Sequence, residues 1–111
     1  MNNEINNSRL EQLLQLLELQ PNEGFLCYAI GMEYRKAKRF HEAIHWFKKT
    51  LEKDTQYLAA WYQLAEVQLE VGDKDSSKSA YEAGIRLATA LNDVKSLAEF
   101  KNALLNLEIN D

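Results

Sequence analysis

GFLCYAIGMEYRKAKRFHEAIHWFKKTLEKDTQY, residues 24–57, holds two helical patterns joined by a tight turn. Cys27, Ile30, Tyr34 and Ala37 are spaced three, four and three apart, one face of a helix with 3.6 residues per turn. Gly31 lies beside that face. Glycine inside a helix costs roughly 1 kcal/mol relative to alanine, so its expected use is to let a second helix approach closely. Phe40, Ala43, Ile44, Phe47, Thr50 and Leu51 form a second stripe of the same kind. Two short helices with a short connection fold back antiparallel, and neither hides its apolar face without neighbours.

The pattern returns after 34 residues: Tyr28 matches Tyr62, Ile30 matches Leu64, Gly31 matches Ala65, Phe47 matches Tyr81, and Leu51 matches Ile85. The small residues keep their places too, Ala43 over Ser77 and Thr50 over Gly84. Residue size repeating at a fixed offset of this length indicates a helical solenoid.

On these residues the stretch resembles the tetratricopeptide repeat, whose pattern is W-x2-L-G-x2-Y, then A-x3-F, then P. The first copy, 24–57, supplies Cys27, Ile30, Gly31, Tyr34, Ala43 and Phe47, with Thr55 at the proline position. The second, 58–91, supplies Trp61, Leu64, Ala65, Gln68, Ser77 and Tyr81, with Thr89 there. Cys27, Gln68 and Ser77 depart from the pattern. The fold class predicted is all-α: an α-solenoid of six helices, with two repeats between an N-terminal (1–23) and a C-terminal (92–111) capping helix in one domain, 1–111.

Composition agrees with an ordered helical chain. Hydrophobic residues make up 46% of 111 positions, and only four glycines and one proline interrupt them. The net charge of −4 argues against nucleic acid as a partner. A single cysteine allows no internal disulfide. No apolar run is long enough for a membrane span or a signal core, so a cytoplasmic protein is expected.

Residues 1–8 are polar and asparagine-rich and are expected to fray. A helix over about 9–20 follows, with one stripe of Leu10, Leu13, Leu14 and Leu17, and with Leu16 and Leu19 off it; Pro21 ends it. The next helices are expected over about 23–37, 40–53, 58–71, 74–91 and 94–109. Gly72 suits the left-handed position after a helix, and Asp73 and Asp93 suit N-caps; Lys38 and Arg39 occupy the same turn in the first copy and suit neither task. In the last helix Leu97, Ala98, Leu104 and Leu105 are expected to face inward, with Phe100 and Leu107 on a second stripe open to a partner. Self-association into a homodimer through a leucine-rich terminal helix is the alternative reading.

Candidate chemistry is sparse. His41 and His45 stand four apart on a helix, but two imidazoles without a third ligand do not make a metal site. Glu66 and Glu70 have the same spacing and are expected to be solvated or ion-paired, Glu70 with Lys36 of the neighbouring helix. Cys27 stands where a core residue belongs and is expected to be buried and inert. There is no phosphate loop, nucleophile elbow or C-x-x-C pair, so neither an enzyme nor a cofactor is expected. The basic run Arg35, Lys36, Lys38, Arg39 either complements the negative end of a helix or anchors an acidic group.

What the resemblance implies is a non-catalytic scaffold whose first helices line a concave groove for a peptide or partner helix. The groove residues would be Tyr28, Met32, Arg35 and Lys36 from the first copy, Tyr62, Gln63 and Glu66 from the second, and Phe100 from the last helix. Tyr28 and Tyr62 either contact the ligand or only pack on adjacent helices. Co-chaperones of the family grip a carboxylate with Lys and Asn. Here the corresponding positions read Tyr28, Met32, Gln63, Asp93 and Leu97, so that clamp is not expected.

Overall fold

The structure, a computed structural model, describes residues 8–110. The polar segment 1–7 lies outside the described residues. Six helices follow in order: α1 Ser8–Leu19, α2 Gly24–Lys36, α3 Phe40–Lys53, α4 Leu58–Glu70, α5 Lys74–Ala90 and α6 Val94–Ile109. Successive helices pack antiparallel along the chain, so the hairpins α2–α3 and α4–α5 stack between α1 and α6. No helix of the described residues is long and apolar enough to cross a membrane.

Three turns share one geometry. Lys38, Gly72 and Asn92 have φ of 60°, 85° and 56°. At each, the next residue's N–H reaches back five residues, Arg39 to Tyr34, Asp73 to Gln68 and Asp93 to Ala88, each at 2.9 Å. This double-bonded helix terminus needs a left-handed residue. Glycine accepts that conformation at no steric cost and asparagine tolerates it, whereas lysine is held there against preference. Asp73 and Asp93 then cap the next helix by accepting from the N–H groups of Ser76 and Ser96, at 3.1 and 3.0 Å. Arg39 makes no side-chain cap. The hydroxyl of Ser76 holds the exposed Asp73 carboxyl below its usual range, and the Ser96 N–H does the same for Asp93.

The core runs through both hairpins. Cys27, Ile30, Ala43, Phe47 and Thr50 are fully buried in the first, and Ala65, Val67, Ser77 and Ala88 in the second. The close approach expected at Gly31 is present: a methyl group there would sit 2.6 Å from the Phe47 ring. Gly84 does the same for α6, where a methyl group would sit 2.2 Å from the Phe100 ring. A buried phenylalanine in such a seat contributes about 3–5 kcal/mol. Ser77 has no counterpart hydroxyl in the first hairpin; it donates to the Ala65 carbonyl at 2.7 Å and so is satisfied inside the core. Cys27 is a free thiol, and burial pushes its pKa up, which keeps it protonated and unreactive.

α1 behaves as its stripe predicts. Leu10 and Leu13 are buried against Leu26 and Ile30, while Leu16 and Leu19 stand exposed. A polar tie that the sequence did not suggest joins it to α2: Glu33, only 7% exposed, takes Arg9 at 3.2 Å and Lys36 at 3.4 Å.

α6 corrects the sequence reading. Phe100 and Leu107 are buried, Leu97 and Leu104 pack on the core, and Ala98 and Leu105 are exposed. The inward row 97, 100, 104, 107 has the same three-four-three spacing that marks α2. The cause is the length of α5, which at 17 residues exceeds α3 by three. Val94 therefore starts α6 36 positions after Leu58 starts α4, two more than the repeat length. Phe100 takes the place of Leu64, and the whole helix is turned relative to the reading that assumed 34.

Candidate interaction groove

One face of α2, α4 and α6 remains open after the hairpins stack. On α2 it carries Tyr28, Met32 and Arg35, all half-buried, and on α4 it carries Tyr62, Gln63 and Glu66, also half-buried. Helical spacing sets this row: 62, 63 and 66 point away from 61, 64 and 68, which face the core and α3.

The two helices are joined across this face by one network. Arg35 Nη1 donates to Gln63 Oε1 and, at 2.9 Å, to Glu66 Oε1. The hydroxyl of Tyr28 is hydrogen-bonded to the same Gln63 side chain. Burial pushes the Tyr28 and Tyr62 hydroxyls above the usual phenol value, so both are neutral donors at ordinary pH. Arg35 is therefore engaged within the chain. The ion pair linking these helices is Arg35–Glu66, where Lys36–Glu70 was expected. Lys36 turns to Glu33 on its own helix, with 72% of its side chain exposed.

Aromatic rings set the depth of the groove. Tyr28 lies 4.9 Å from Tyr57 and 5.7 Å from Phe47 between ring centroids. Tyr62 lies 5.5 Å from Phe100 and 5.8 Å from Tyr81, both nearly edge-on. A recess of about 220 Å³ opens between α4 and α6, lined by Ala59, Tyr62, Gln63, Ser96, Glu99 and Phe100. Phe100, placed among the groove contacts by the sequence reading, is 2% exposed and forms the floor beneath Tyr62. Its burial follows from the two-residue advance of α6. The residues that α6 does present at the groove positions are Lys95, Ala98, Glu99, Asn102, Leu105 and Asn106, every one exposed. Sequence could have found them, because Asp93-x-x-Ser96 repeats Asp73-x-x-Ser76 and fixes where the helix begins. Tyr57, stacked on Tyr28, was also missed.

His41 and His45 are exposed on α3, His45 edge-on to Trp46. Among the described residues no group of three or more His, Cys, Asp or Glu side chains gathers around a possible ion.

A family model for the tetratricopeptide repeat matches residues 34–104. No curated protein matches the chain in sequence. Among solved structures, the TPR2B domain of yeast Sti1 in its complex with pHsp70 superposes with a TM-score of 0.84 at 19% identity, over 92% of this chain and 82% of that one. A tetratricopeptide repeat domain protein from Salinibacter ruber gives 0.77 at 26% identity, over 82% and 92%. PcrH, solved with the chaperone binding region of PopD, gives 0.84 at 17% identity, over 91% and 77%. With the family model running from the end of α2 through α3, α4 and α5 and over most of α6, this chain belongs to the tetratricopeptide repeat family.

Proposed function

We propose that the chain is a non-catalytic protein-interaction scaffold that receives a peptide or a partner helix along the open face of α2, α4 and α6. In this reading 24–57 and 58–91 are the two repeats, and α1 and α6 cap them. The observation that carries it is the network Tyr28–Gln63–Arg35–Glu66, which fixes a row of half-exposed polar and aromatic groups across two helices before any ligand arrives. Preorganised aromatic and arginine side chains lose little freedom on binding. Two of the similar structures, the Sti1 domain and PcrH, are of complexes with a partner peptide or region, which supports the reading at the level of the fold. Tyr62, Gln63, Glu99 and Asn102 would supply hydrogen bonds, Met32 an adaptable apolar contact, and Lys36 the freer cation. Phe100 supports Tyr62 from below.

The test is a peptide selected from a displayed library against the full chain. Tyr28→Ala with Tyr62→Ala should weaken that peptide by at least about tenfold, which is 1.4 kcal/mol, while far-ultraviolet dichroism stays that of the parent. Undiminished binding by a folded double variant defeats the groove.

A homo-oligomer through a terminal helix is supported by one observation: Leu19 of α1 and Ile109 of α6 are 78% and 67% exposed. Sedimentation across a concentration range decides it, and a monomer at every concentration removes it.

A further inference from the structure

Across the open face, an ion pair bridges α2 and α4, and among the described residues none bridges α4 and α6. Arg35 and Glu66 meet at 2.9 Å from positions 31 apart. α6 begins 36 positions after α4, two more than the 34 that separate α4 from α2. The residue that faces Glu66 across the next seam is therefore 33 positions on, and it is Glu99. Where the first seam sets a guanidinium against a carboxylate, the second sets a carboxylate against a carboxylate. Both act on the same oxygen: burial first, then Glu66 and Glu99, push the Tyr62 hydroxyl up. Glu66 receives Arg35 through Oε1. Glu99 is exposed and has no ion-pair partner among the described residues, and Lys95, one turn earlier on α6, does not reach it. Glu99 is also the one charged residue lining the recess of about 220 Å³ that opens over Leu58, Ala59, Tyr62 and Phe100.

We propose, on the strength of the groove reading above and falling with it, that the groove selects a peptide bearing an arginine, whose guanidinium enters between Glu66 and Glu99 at Tyr62. It closes the α4–α6 seam as Arg35 closes the α2–α4 seam. A guanidinium presents five donors in a planar fork, so one group can serve both carboxylates and the neutral Tyr62 hydroxyl. A lysine ammonium is a compact, strongly hydrated point charge and suits a two-sided site less well. The arginine stem lies along the apolar lining of the recess, and the Tyr62 ring adds attraction for the cation. Arg35 does not stand in the way. A carboxylate shared by two cations is an arrangement this chain already uses at Glu33, which takes both Arg9 and Lys36. An acidic residue at the same point would meet like charge.

The experiment selects short peptides from a displayed library, separately against the full chain and against Glu99→Gln. Arginine should be enriched at one position of the parent pool, and that enrichment should be lost from the Glu99→Gln pool. One parent-selected peptide is then made with that arginine and with citrulline, its uncharged isostere, and titrated by calorimetry. Citrulline should weaken binding to the parent about tenfold and binding to Glu99→Gln by no more than about threefold. The citrulline comparison on the parent alone keeps the claim open to refutation where Glu99→Gln misfolds. Peptides that need Tyr28 and Tyr62 but carry no arginine, or that bind equally well with citrulline, would overturn this proposal and leave the groove standing. Lysine enriched in place of arginine would overturn the guanidinium, and aspartate or glutamate there would overturn the sign of the charge. Peptides indifferent to Tyr28→Ala with Tyr62→Ala would overturn the groove and this proposal together.

Discussion

The two hairpins are built on one template and keep it in different ways. The first, α2–α3, turns through Lys38 and Arg39, residues suited to neither position, yet its seam with α1 is filled by Trp46 and Tyr34. The second, α4–α5, turns through Gly72 and Asp73, which suit the left-handed residue and the cap, yet its seam with α3 leaves a pocket of about 670 Å³. Neither local defect costs the fold, because each helix pair is supported from both sides by its neighbours, as stability in stacked repeats requires. A repeat therefore tolerates a poor turn or an unfilled seam provided that the contact setting the helix separation survives. That contact is a small residue under an aromatic ring: Gly31 under Phe47, Ala65 near Tyr81, and Gly84 under Phe100.

The largest effect is expected where that contact leaves no room. Gly84→Ala places a methyl group 2.2 Å from the Phe100 ring, and should destabilise the chain by about 2 kcal/mol, lowering the Tm by about 8 °C, because the ring is buried among Tyr62 and Tyr81 and cannot step aside. Gly31→Ala should cost less, about 1 kcal/mol, although its methyl group would also lie under 3 Å from a ring. The second hairpin already carries Ala65 at the equivalent position, so the template can open by that amount, and helix propensity returns part of the cost. Equal losses in thermal melts of the two variants would show that the α5–α6 contact is no tighter than the α2–α3 one.

Next comes the cap that only the second turn possesses. Asp73→Ala should lower the Tm at pH 7, whereas Arg39→Ala should leave it nearly unchanged. Hydrogen bonding to Ser76 holds the folded Asp73 carboxyl below its ordinary value of 3.8, so its contribution is present above that pH and is lost as pH falls through the depressed value. The difference in Tm between the parent and Asp73→Ala should therefore shrink below about pH 4. A difference that persists in acid would mean that the carboxylate is not what caps α5. The smallest change is a gain: Lys38→Gly, by releasing a left-handed lysine at φ 60°, should stabilise the chain by about 0.5 kcal/mol. An unchanged or lower Tm would contradict the strain assigned to that turn.

Much of the architecture was legible because it depends on spacing that the chain carries locally. The 34-residue offset gave the two hairpins, and Gly72, Asp73, Asp93 and the awkward Lys38 gave their turns. Helix six was misread because its phase is set by the length of α5. The three added residues are fully helical, so the broken period shows only in the position of the Asp93-x-x-Ser96 cap, and Phe100 went from floor to rim on the assumption that 34 continued. The ion pair across α2 and α4 was misplaced for a related reason. Neighbouring helices cross at an angle, so the residues that meet are 31 positions apart, Arg35 and Glu66, and the sequence offset locates repeats better than it locates contacts. That Tyr28, Met32 and Arg35 share one open face with Tyr62, Gln63 and Glu66 was legible from helical spacing, whereas the place of Tyr57 against Tyr28 was not, because it depends on the path of the chain between α3 and α4.

The central claim is that hairpins stacked in this register leave one row, from α2 through α4 to α6, open to a peptide. The measurement that tests it most directly is an NMR map of the selected library peptide on the full chain. The account predicts perturbations at Tyr28, Met32, Tyr62, Gln63, Glu99 and Asn102, with Leu16, Leu19 and Ala80 unmoved. Perturbations centred on α1 or on the α3–α5 seam, with that row silent, would contradict it.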